Sequence, residues 1–318
     1  MRLSPEPIVA PVPRAVLERD VASLPPSALL CAQGAFAVYV AFAHQIPGLL
    51  TEIGRLREIS FRAAGEGTGR ALDLDAFDGW YEHLFVWHAD SASVVGAYRI
   101  GRVDTILPTH GPEGLYTATL FAWEPSLLAE LDDAVELGRS FVRLDAQRAP
   151  FALPLLWRGI GRWLTQRPHL RRLLGPVSID ARYAPVSVAR MVGYLRSRHM
   201  PPDYAGRVRS SAPWRATDDA TAAAYAEGGL LPDLPSLGRA VEAEEADDRS
   251  IPVLLRQYLK LGAVVLETNV DAAFADVVDA LVLVDLDSVD PARLAKFMGP
   301  EGAAAFRAAG KPRLRVVA

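Results

Sequence analysis

The chain has 318 residues, of which half are hydrophobic and 23% charged, with a formal net charge of −4. This composition predicts a globular protein with a substantial core and excludes a collagen-like, coiled-coil or largely disordered chain. Its one cysteine, Cys31, excludes an intrachain disulfide and a cysteine-built zinc site.

Strands and helices alternate along the sequence, which predicts an α/β fold. The uncharged run 21–51 has its most apolar piece at residues 27–43, whose 17 residues are short for a membrane span and whose aromatic and β-branched end favours a strand instead. The predicted strands are 36–43, 81–87, 94–99, 115–121, 134–142, 174–179, 263–268 and 280–284. The predicted helices are 47–63, 150–165, 185–197 and 251–261, followed by two short helices near the C-terminus.

The basic residues are unevenly distributed. Residues 146–217 contain thirteen arginines and two aspartates, an excess of eleven positive charges. Acidic neighbours in the fold could balance this excess, or it could form a docking surface for nucleic acid, anionic lipid or an acidic carrier protein. We expect no nucleic acid partner, because the sequence contains no recognised nucleic-acid-binding motif.

Charged side chains recur inside apolar segments. A charge within a buried strand needs an ionic partner or a ligand, because an unpaired buried ion is costly. Two of them, Glu136 and Arg139, are three residues apart and would point to opposite faces of a regular strand, so they share a face only if a β-bulge intervenes. The four motifs that contain these charges supply, in chain order, Arg57 with the uncharged Phe61, Asp75 with Asp78, Arg99, and Glu136 with Arg139.

The order of these motifs resembles that of the acyl-homoserine-lactone-synthase-like branch of the GNAT acyltransferases. Longer strings, including REISFRAAGEGTG at 57–69, VVGAYRIG at 94–101 and ELGRSFV at 136–142, resemble the ornithine-lipid N-acyltransferases and related hemolysin-like proteins. The resemblance covers about residues 36–300. It departs at Gly67, where the lactone synthases have tryptophan, and at Asp73, where they often have glutamate, which argues against an adenosylmethionine acceptor.

The resemblance implies a GNAT-like mixed central sheet flanked by helices. Residues 1–30 would be a proline-rich arm, residues 31–212 the acyltransferase core, and residues 213–318 a C-terminal α/β extension packed on that core. We expect a bacterial cytoplasmic enzyme, with peripheral contact with the inner membrane left open.

The implied reaction moves a fatty acyl group, which could be 3-hydroxylated, from acyl carrier protein to the α-amine of an amino acid. Ornithine is the first candidate acceptor, and the product would be a lyso-ornithine lipid. Other acceptors (glycine, lysine or tyrosine) and a coenzyme A donor remain alternatives, as does a non-enzymatic, membrane-active hemolysin-like protein.

The resemblance also implies roles for the motif residues. An α-amine has a pKa of about 7.7–8.0, so a carboxylate base helps near neutrality. Glu136 is the predicted base, and Arg139 is predicted to be catalytic with it, since a backbone N–H just after Arg139 would stabilise the oxyanion. The predicted substrate-binding residues are Arg57, Phe61, Asp75, Asp78 and Arg99.

The donor is predicted from the segment that follows the 134–142 strand. Residues 147–152 contain no glycine at which a backbone could closely approach a coenzyme A pyrophosphate. An acidic carrier protein, which brings its own phosphopantetheine as co-substrate, fits the arginine-rich segment better, and we expect neither a metal nor a resident cofactor. The predicted carrier-docking residues are Arg158, Arg162, Arg171 and Arg172.

Overall fold

The computed structural model describes residues 4–147, 151–247 and 249–310. The helices are α1 Arg14–Ala22, α2 Pro47–Ala63, α3 Val103–His110, α4 Pro125–Glu130, α5 Ala152–Thr165, α6 Pro185–Arg198, α7 Asp219–Leu230, α8 Leu234–Glu242, α9 Val253–Lys260, α10 Pro291–Met298 and α11 Pro300–Ala308. The strands are β1 Leu29–Gln33, β2 Phe36–Phe42, β3 Glu82–His88, β4 Ser93–Arg102, β5 Phe121–Trp123, β6 Ala134–Val142, β7 Arg172–Ile179, β8 Val208–Ser210, β9 Val264–Asp271 and β10 Val277–Asp285.

A mixed sheet of eight strands organises the part of the chain that the structure describes. Its order is β1–β2–β3–β4–β6–β7–β10–β9, and the pairs are antiparallel apart from β6 and β7. The short strands β5 and β8 pair with each other. Strands β9 and β10, from the region predicted as a C-terminal extension, continue the sheet beyond β7.

Alternation along β3 shows how helices cover both faces of the sheet. Leu84 and Val86 pack into the cluster that contains the apolar side of α5, whereas Phe85 and Trp87 pack into the cluster built on α1 and α2. Successive side chains of a strand point to opposite faces, so one apolar strand serves both layers.

The parallel strands β6 and β7 pair only at one end. Their register runs from Ala134 opposite Arg172 to Glu136 opposite Leu174, and beyond it the strands diverge. Gly175 lies at the point of divergence, where an added Cβ would come within 2.1 Å of the Leu137 carbonyl oxygen. Only glycine therefore lets the backbones approach so closely before they separate.

The structure corrects one predicted strand. Residues 115–121 do not form a strand, because Tyr116–Thr119 is a 3-10 turn and β5 begins only at Phe121. The amides of Tyr116 and Thr117 donate to the carboxylate of Glu136 instead of to a neighbouring strand.

The proline-rich segment contains an element that the sequence prediction missed. Helix α1 packs on α2, with Leu17 buried and the Asp20 carboxylate accepting the N–H of Leu49 at 2.8 Å. The uncharged stretch 27–43 forms β1 and β2, with a turn between them. In the described ranges, no helix combines the length and apolarity that crossing a membrane requires.

Candidate active site

A cavity of about 450 Å³ opens where β6 and β7 diverge. This volume is within the range of small-molecule sites, which is roughly 300–1,000 Å³. Apolar side chains of the lining include Leu137, Leu153, Leu156, Val177, Leu254 and Tyr258. The charged side chains of the lining are Glu66, Arg139, Asp180, Arg182, Asp271 and Asp279. The cavity therefore offers both an apolar surface and an ionic one.

A β-bulge in β6 lies at the cavity. Ala97 is opposite Phe141 and Arg99 is opposite Gly138, so β6 contains one more residue than β4 between these pairs. Arg139 has a φ of +49°, and neither Arg139 nor Ser140 has a register partner on β4 or β7. The bulge also brings Arg139 and Glu136 to the same side of β6, where both contact Tyr116. The spacing of these two residues predicts that they can share a face only through such a bulge.

A buried ionic network lies beside the cavity. Arg57 is fully buried and donates to the Oδ1 of Asp78 at 2.7 Å. Burial opposes ionisation of Asp78, but the charges of Arg57 and Arg99 outweigh it and hold the pKa of Asp78 well below its usual range. Burial and the Arg57 charge lower the pKa of His83 to about 4, so its ring is neutral at pH 7. A neutral His83 can donate from Nε2 to the Asp78 carbonyl at 3.0 Å while Nδ1 faces Arg57 at 3.4 Å.

Arg99 extends this network toward the bulge. Its guanidinium donates to Asp75 at 2.5 Å, lies 3.5 Å from Asp78 and is within 5.5 Å of the ring centroids of Phe77, Tyr81 and Tyr116. Such aromatic faces stabilise a desolvated cation.

Arg139 connects the ionic network to the cavity. It lies 3.3 Å from Asp73 and 3.6 Å from Asp75, donates to the Tyr116 hydroxyl at 3.3 Å, and lies 4.9 Å from the Phe274 ring centroid. Its pKa is raised, although burial alone would lower it, because Tyr116 and the two aspartates favour the cation. Arg139 is thus a fixed positive charge on the cavity wall.

Glu136 is held by three hydrogen-bond donors. Its side chain accepts the N–H of Thr117 at 2.7 Å, the N–H of Tyr116 at 3.0 Å and the hydroxyl of Tyr81. Glu136 is 1% exposed and is not among the residues that line the cavity. This geometry gives Glu136 an anchoring contact with the 116–117 turn and does not favour its predicted role as the base.

The predicted site residues lie together in the fold, although not all of them line the cavity. Phe61 and Arg139 line it, and Phe61 packs edge-on against Phe274 with 5.1 Å between the ring centroids. The remaining members form the buried network behind that wall: Arg57, Asp75, Asp78, Arg99 and Glu136.

Two carboxyl groups of the cavity wall have raised pKa values. Burial and the negative charges of Asp279 and Asp180 raise the pKa of Glu66 to about 8. Burial, opposed by a 2.7 Å hydrogen bond from the Ser178 hydroxyl, raises the pKa of Asp279 to about 7. Raised carboxyl pKa values in a cavity mark candidate proton-transfer groups.

Neither carboxylate is predicted from the sequence, although signals for both are present. Asp279 is a charge inside the apolar strand β10, the same criterion that selected Arg99 and Arg139. Glu66 is the one charged residue of the glycine-rich stretch 65–69.

Much of the arginine excess is neutralised within the fold. Seven of the thirteen arginines form ion pairs with acidic side chains of the described residues: Arg167, Arg171, Arg172, Arg182, Arg190, Arg196 and Arg207. Arg148 and Pro150, which the donor prediction used, lie outside the described residues.

One predicted docking residue is wrong. Arg171 is fully buried, donates to the Phe306 carbonyl at 2.9 Å and to the Gly310 carbonyl, and lies 3.3 Å from Asp287. It fixes the C-terminal end of the described chain and cannot contact a carrier protein.

The other three docking predictions concern residues nearer the surface. Arg162 is exposed, and half-buried Arg158 donates to Gln33 at 2.8 Å. Arg172 is paired with Asp133 at 2.5 Å. Arg158 and Arg162 both lie on α5, whose N-terminal part lines the cavity through Leu153 and Leu156.

The helix-flanked mixed sheet, with one diverging parallel pair and a bulge at the divergence, is a GNAT-like fold, which confirms the predicted fold class. Residues 56–158 match the family model described as "Acetyltransferase (GNAT) domain".

Two curated relatives have the same name, "Glycine N(alpha)-acyltransferase". The one from Phocaeicola vulgatus is 35% identical over 189 residues, covering 56% of this chain and 58% of its own. The one from Bacteroides thetaiotaomicron is 35% identical over 157 residues, covering 46% of this chain and 47% of its own. The chain thus spans about half the length of the curated relatives it matches.

Solved structures show weaker likeness. FeeM, an N-acyl amino acid synthase from uncultured soil microbes, is 8% identical with a TM-score of 0.42, covering 81% of this chain and 95% of its own. The acyl-homoserine-lactone synthase LasI is 16% identical with a TM-score of 0.33, covering 46% of this chain and 74% of its own.

Proposed function

We propose that this protein is an N-acyltransferase that moves a fatty acyl group from a thioester to the α-amine of an amino acid. The observation that carries the proposal is the cavity between the diverging strands, which combines an apolar surface, an ionic surface and a bulge. The GNAT match over residues 56–158 and the names of the two curated relatives support this class of reaction.

The apolar surface suits the acyl chain. Leu137, Leu156 and Val177 lie along the diverging strands and α5, and α9 adds Leu254 and Tyr258. The thioester carbonyl would then lie at the bulge, where the backbone of Arg139 and Ser140 is released from strand pairing. An N–H there would stabilise the oxyanion, as the sequence analysis expects of the residue after Arg139.

The ionic surface suits an amino acid. Arg139 or Arg182 would bind the α-carboxylate, since a guanidinium forms strong charge-assisted hydrogen bonds with carboxylates. Four carboxylates oppose these two guanidiniums, namely Glu66, Asp180, Asp271 and Asp279. A bound ammonium group would favour ionisation of Glu66 and Asp279, whose pKa values are raised to about 8 and about 7, so this carboxyl-rich wall suits an acceptor with a second ammonium group, and we propose ornithine ahead of glycine, which the relatives' names suggest.

The donor in this proposal is acyl carrier protein, with Arg158 and Arg162 as the docking charges and Arg172 as a weaker candidate because Asp133 already pairs with it. Changing Arg158 and Arg162 to glutamate should raise the KM for the carrier-bound donor and leave the KM for an acyl-coenzyme A unchanged. An equal effect on both donors would remove this surface from the scheme.

The decisive experiment incubates the purified protein with acyl and 3-hydroxyacyl carrier protein, or acyl-coenzyme A, and one free amino acid at a time. Ornithine, lysine, glycine and tyrosine form the panel, and thiol release and product mass are recorded. We expect an N-acyl amino acid with the highest kcat/KM for ornithine. A higher kcat/KM for glycine would overturn the acceptor assignment, and no amide with any pair would overturn the proposed reaction.

A further inference from the structure

The glycine-rich loop after α2 holds one side chain at the cavity. Glu58 is fully buried, and its carboxylate accepts the N–H of Gly69 at 2.8 Å and the hydroxyl of Thr68 at 2.9 Å. Gly65 and Gly67, on either side of Glu66, have φ values of +75° and +105°. These conformations favour glycine. The loop is therefore shaped and anchored so that Glu66 lines the cavity.

The carboxyl group of half-buried Glu66 differs from those of the fully buried glutamates of this region. Glu58 and Glu136 are saturated by hydrogen-bond donors, whereas among the described residues no side chain or amide donates a hydrogen bond to Glu66. The groups whose charges act on Glu66 are Asp279 on β10, Asp180 after β7, Arg182 beyond it, and Arg139 on β6. Glu66 can therefore accept a proton without first losing an internal partner.

We propose that Glu66 is the base that takes the proton from the acceptor's α-ammonium group before the amine attacks the thioester. This inference rests on the proposed function and replaces the role that the sequence analysis assigned to Glu136. Asp279, another carboxyl of the cavity lining, which accepts the hydroxyl of Ser178, would bind the same ammonium.

The proton inventory of the step is complete. Glu66 takes one proton from R–NH₃⁺, and the neutral amine forms the C–N bond with the thioester carbon. When the tetrahedral intermediate collapses, the C–S bond breaks, the second proton of the amine passes to the thiolate sulfur, and an amide and a thiol result. Glu66 then returns its proton to water, so no oxidant, metal or additional reactant is needed.

The electrostatics of the wall match this role. A base works best when its pKa is close to the operating pH and to that of the group it deprotonates. The pKa of Glu66, about 8, is close to the α-amine value of about 7.7–8.0. Arriving ammonium would favour the ionised carboxylate, because opposite charges within a few ångströms stabilise each other.

The test measures kcat at saturating donor and acceptor between pH 6 and pH 9.5. In the unaltered protein kcat should rise with pH as Glu66 ionises. Glu66→Gln should lower kcat about 10²- to 10⁴-fold at pH 7, which is the usual contribution of a general base. The difference in kcat between Glu66→Gln and the unaltered protein should shrink as pH rises, because more of the amine is then already neutral. The KM for the donor should change little.

Controls separate this role from a structural one. Glu242→Gln makes the same chemical change at an exposed position on α8 and should leave the profile unchanged. Glu66→Asp keeps a carboxylate and should restore part of the rate, which tests the proposal even if the glutamine variant folds poorly. Unaltered kcat and pH profile in a folded Glu66→Gln would overturn the base assignment alone, whereas inactivity of the unaltered protein with every donor and acceptor would overturn the proposed function and this inference with it.

Discussion

Replacing Glu136 by glutamine tests whether this residue supports the structure or performs the chemistry. Its carboxylate accepts the N–H groups of Tyr116 and Thr117 and the Tyr81 hydroxyl, and Glu136 itself is buried together with Thr117 and Tyr81. Glutamine offers one acceptor oxygen and places an NH₂ donor against at least one of these donors. An unsatisfied buried donor costs about 1–3 kcal/mol, and the remaining hydrogen bonds lose their charge assistance. We therefore expect Glu136→Gln to lower the free energy of unfolding by about 2–4 kcal/mol.

Urea unfolding followed by fluorescence of the six tryptophans provides the measurement. Glu242→Gln is the matched control, because it makes the same substitution at an exposed glutamate of α8, and it should change the free energy of unfolding little. Glu136→Gln should reduce activity only in proportion to its unfolded fraction or to movement of the 116–117 turn. An unchanged free energy of unfolding, together with lost activity and a shifted pH profile, would refute this reasoning and restore Glu136 as the base.

Three further predictions follow from buried groups. The pKa of His83 is about 4 in the folded protein and about 6.5 in the unfolded chain, so the unfolded chain binds the proton first. The free energy of unfolding should therefore fall by about 3 kcal/mol as pH falls from 6.5 to 4. His83→Asn should flatten this pH dependence in urea titrations, and an equal slope in the variant would contradict the assignment. Gly175→Ala should lower the free energy of unfolding by about 1–3 kcal/mol in the same assay, because its Cβ would clash with the Leu137 carbonyl. Gly138→Ala is the control and should not lower it in this way, because a Cβ at this position has no atom within 4 Å. Equal losses of stability in the two variants would contradict the account of how β6 and β7 diverge. Arg171→Met should speed hydrogen exchange in α11 and leave the KM for the carrier-bound donor unchanged, while the reverse pattern would restore its docking role.

The central strands were predictable because their hydrophobic runs are long. Strands β2, β3, β4 and β6 and helix α2 lie within a few residues of their predicted bounds. Residues 115–121 were mistaken for a strand because their apolar and β-branched composition does not reveal that the Glu136 carboxylate captures two of their amides. Helix α1 was missed because its stability comes from contact with α2, which the local sequence does not encode.

The candidate site was predictable in part for a similar reason. Charges inside apolar strands identified Arg99 and Arg139, and the need for a bulge between Glu136 and Arg139 was apparent from their spacing. Which carboxyl group lines the cavity depends on where β6 and β7 diverge and on how the buried Glu58 anchors the glycine-rich loop that contains Glu66. A charge inside an apolar strand and the motif resemblance therefore selected Glu136 and not Glu66.

The cavity is assembled from distant parts of the chain. The bulge belongs to the segment that matches the GNAT family model, whereas Asp279 and the lining residues of α9 come from far beyond it. In the proposed reaction, proteins with a common residue 56–158 module would keep the thioester site, differ in nucleophile preference through β10 and differ in the acyl chain they accept through α9. Chimeras that exchange only β10 should transplant amino-acid selectivity while leaving the fatty substrate unchanged, whereas exchange of α9 should change the acyl chain that is accepted.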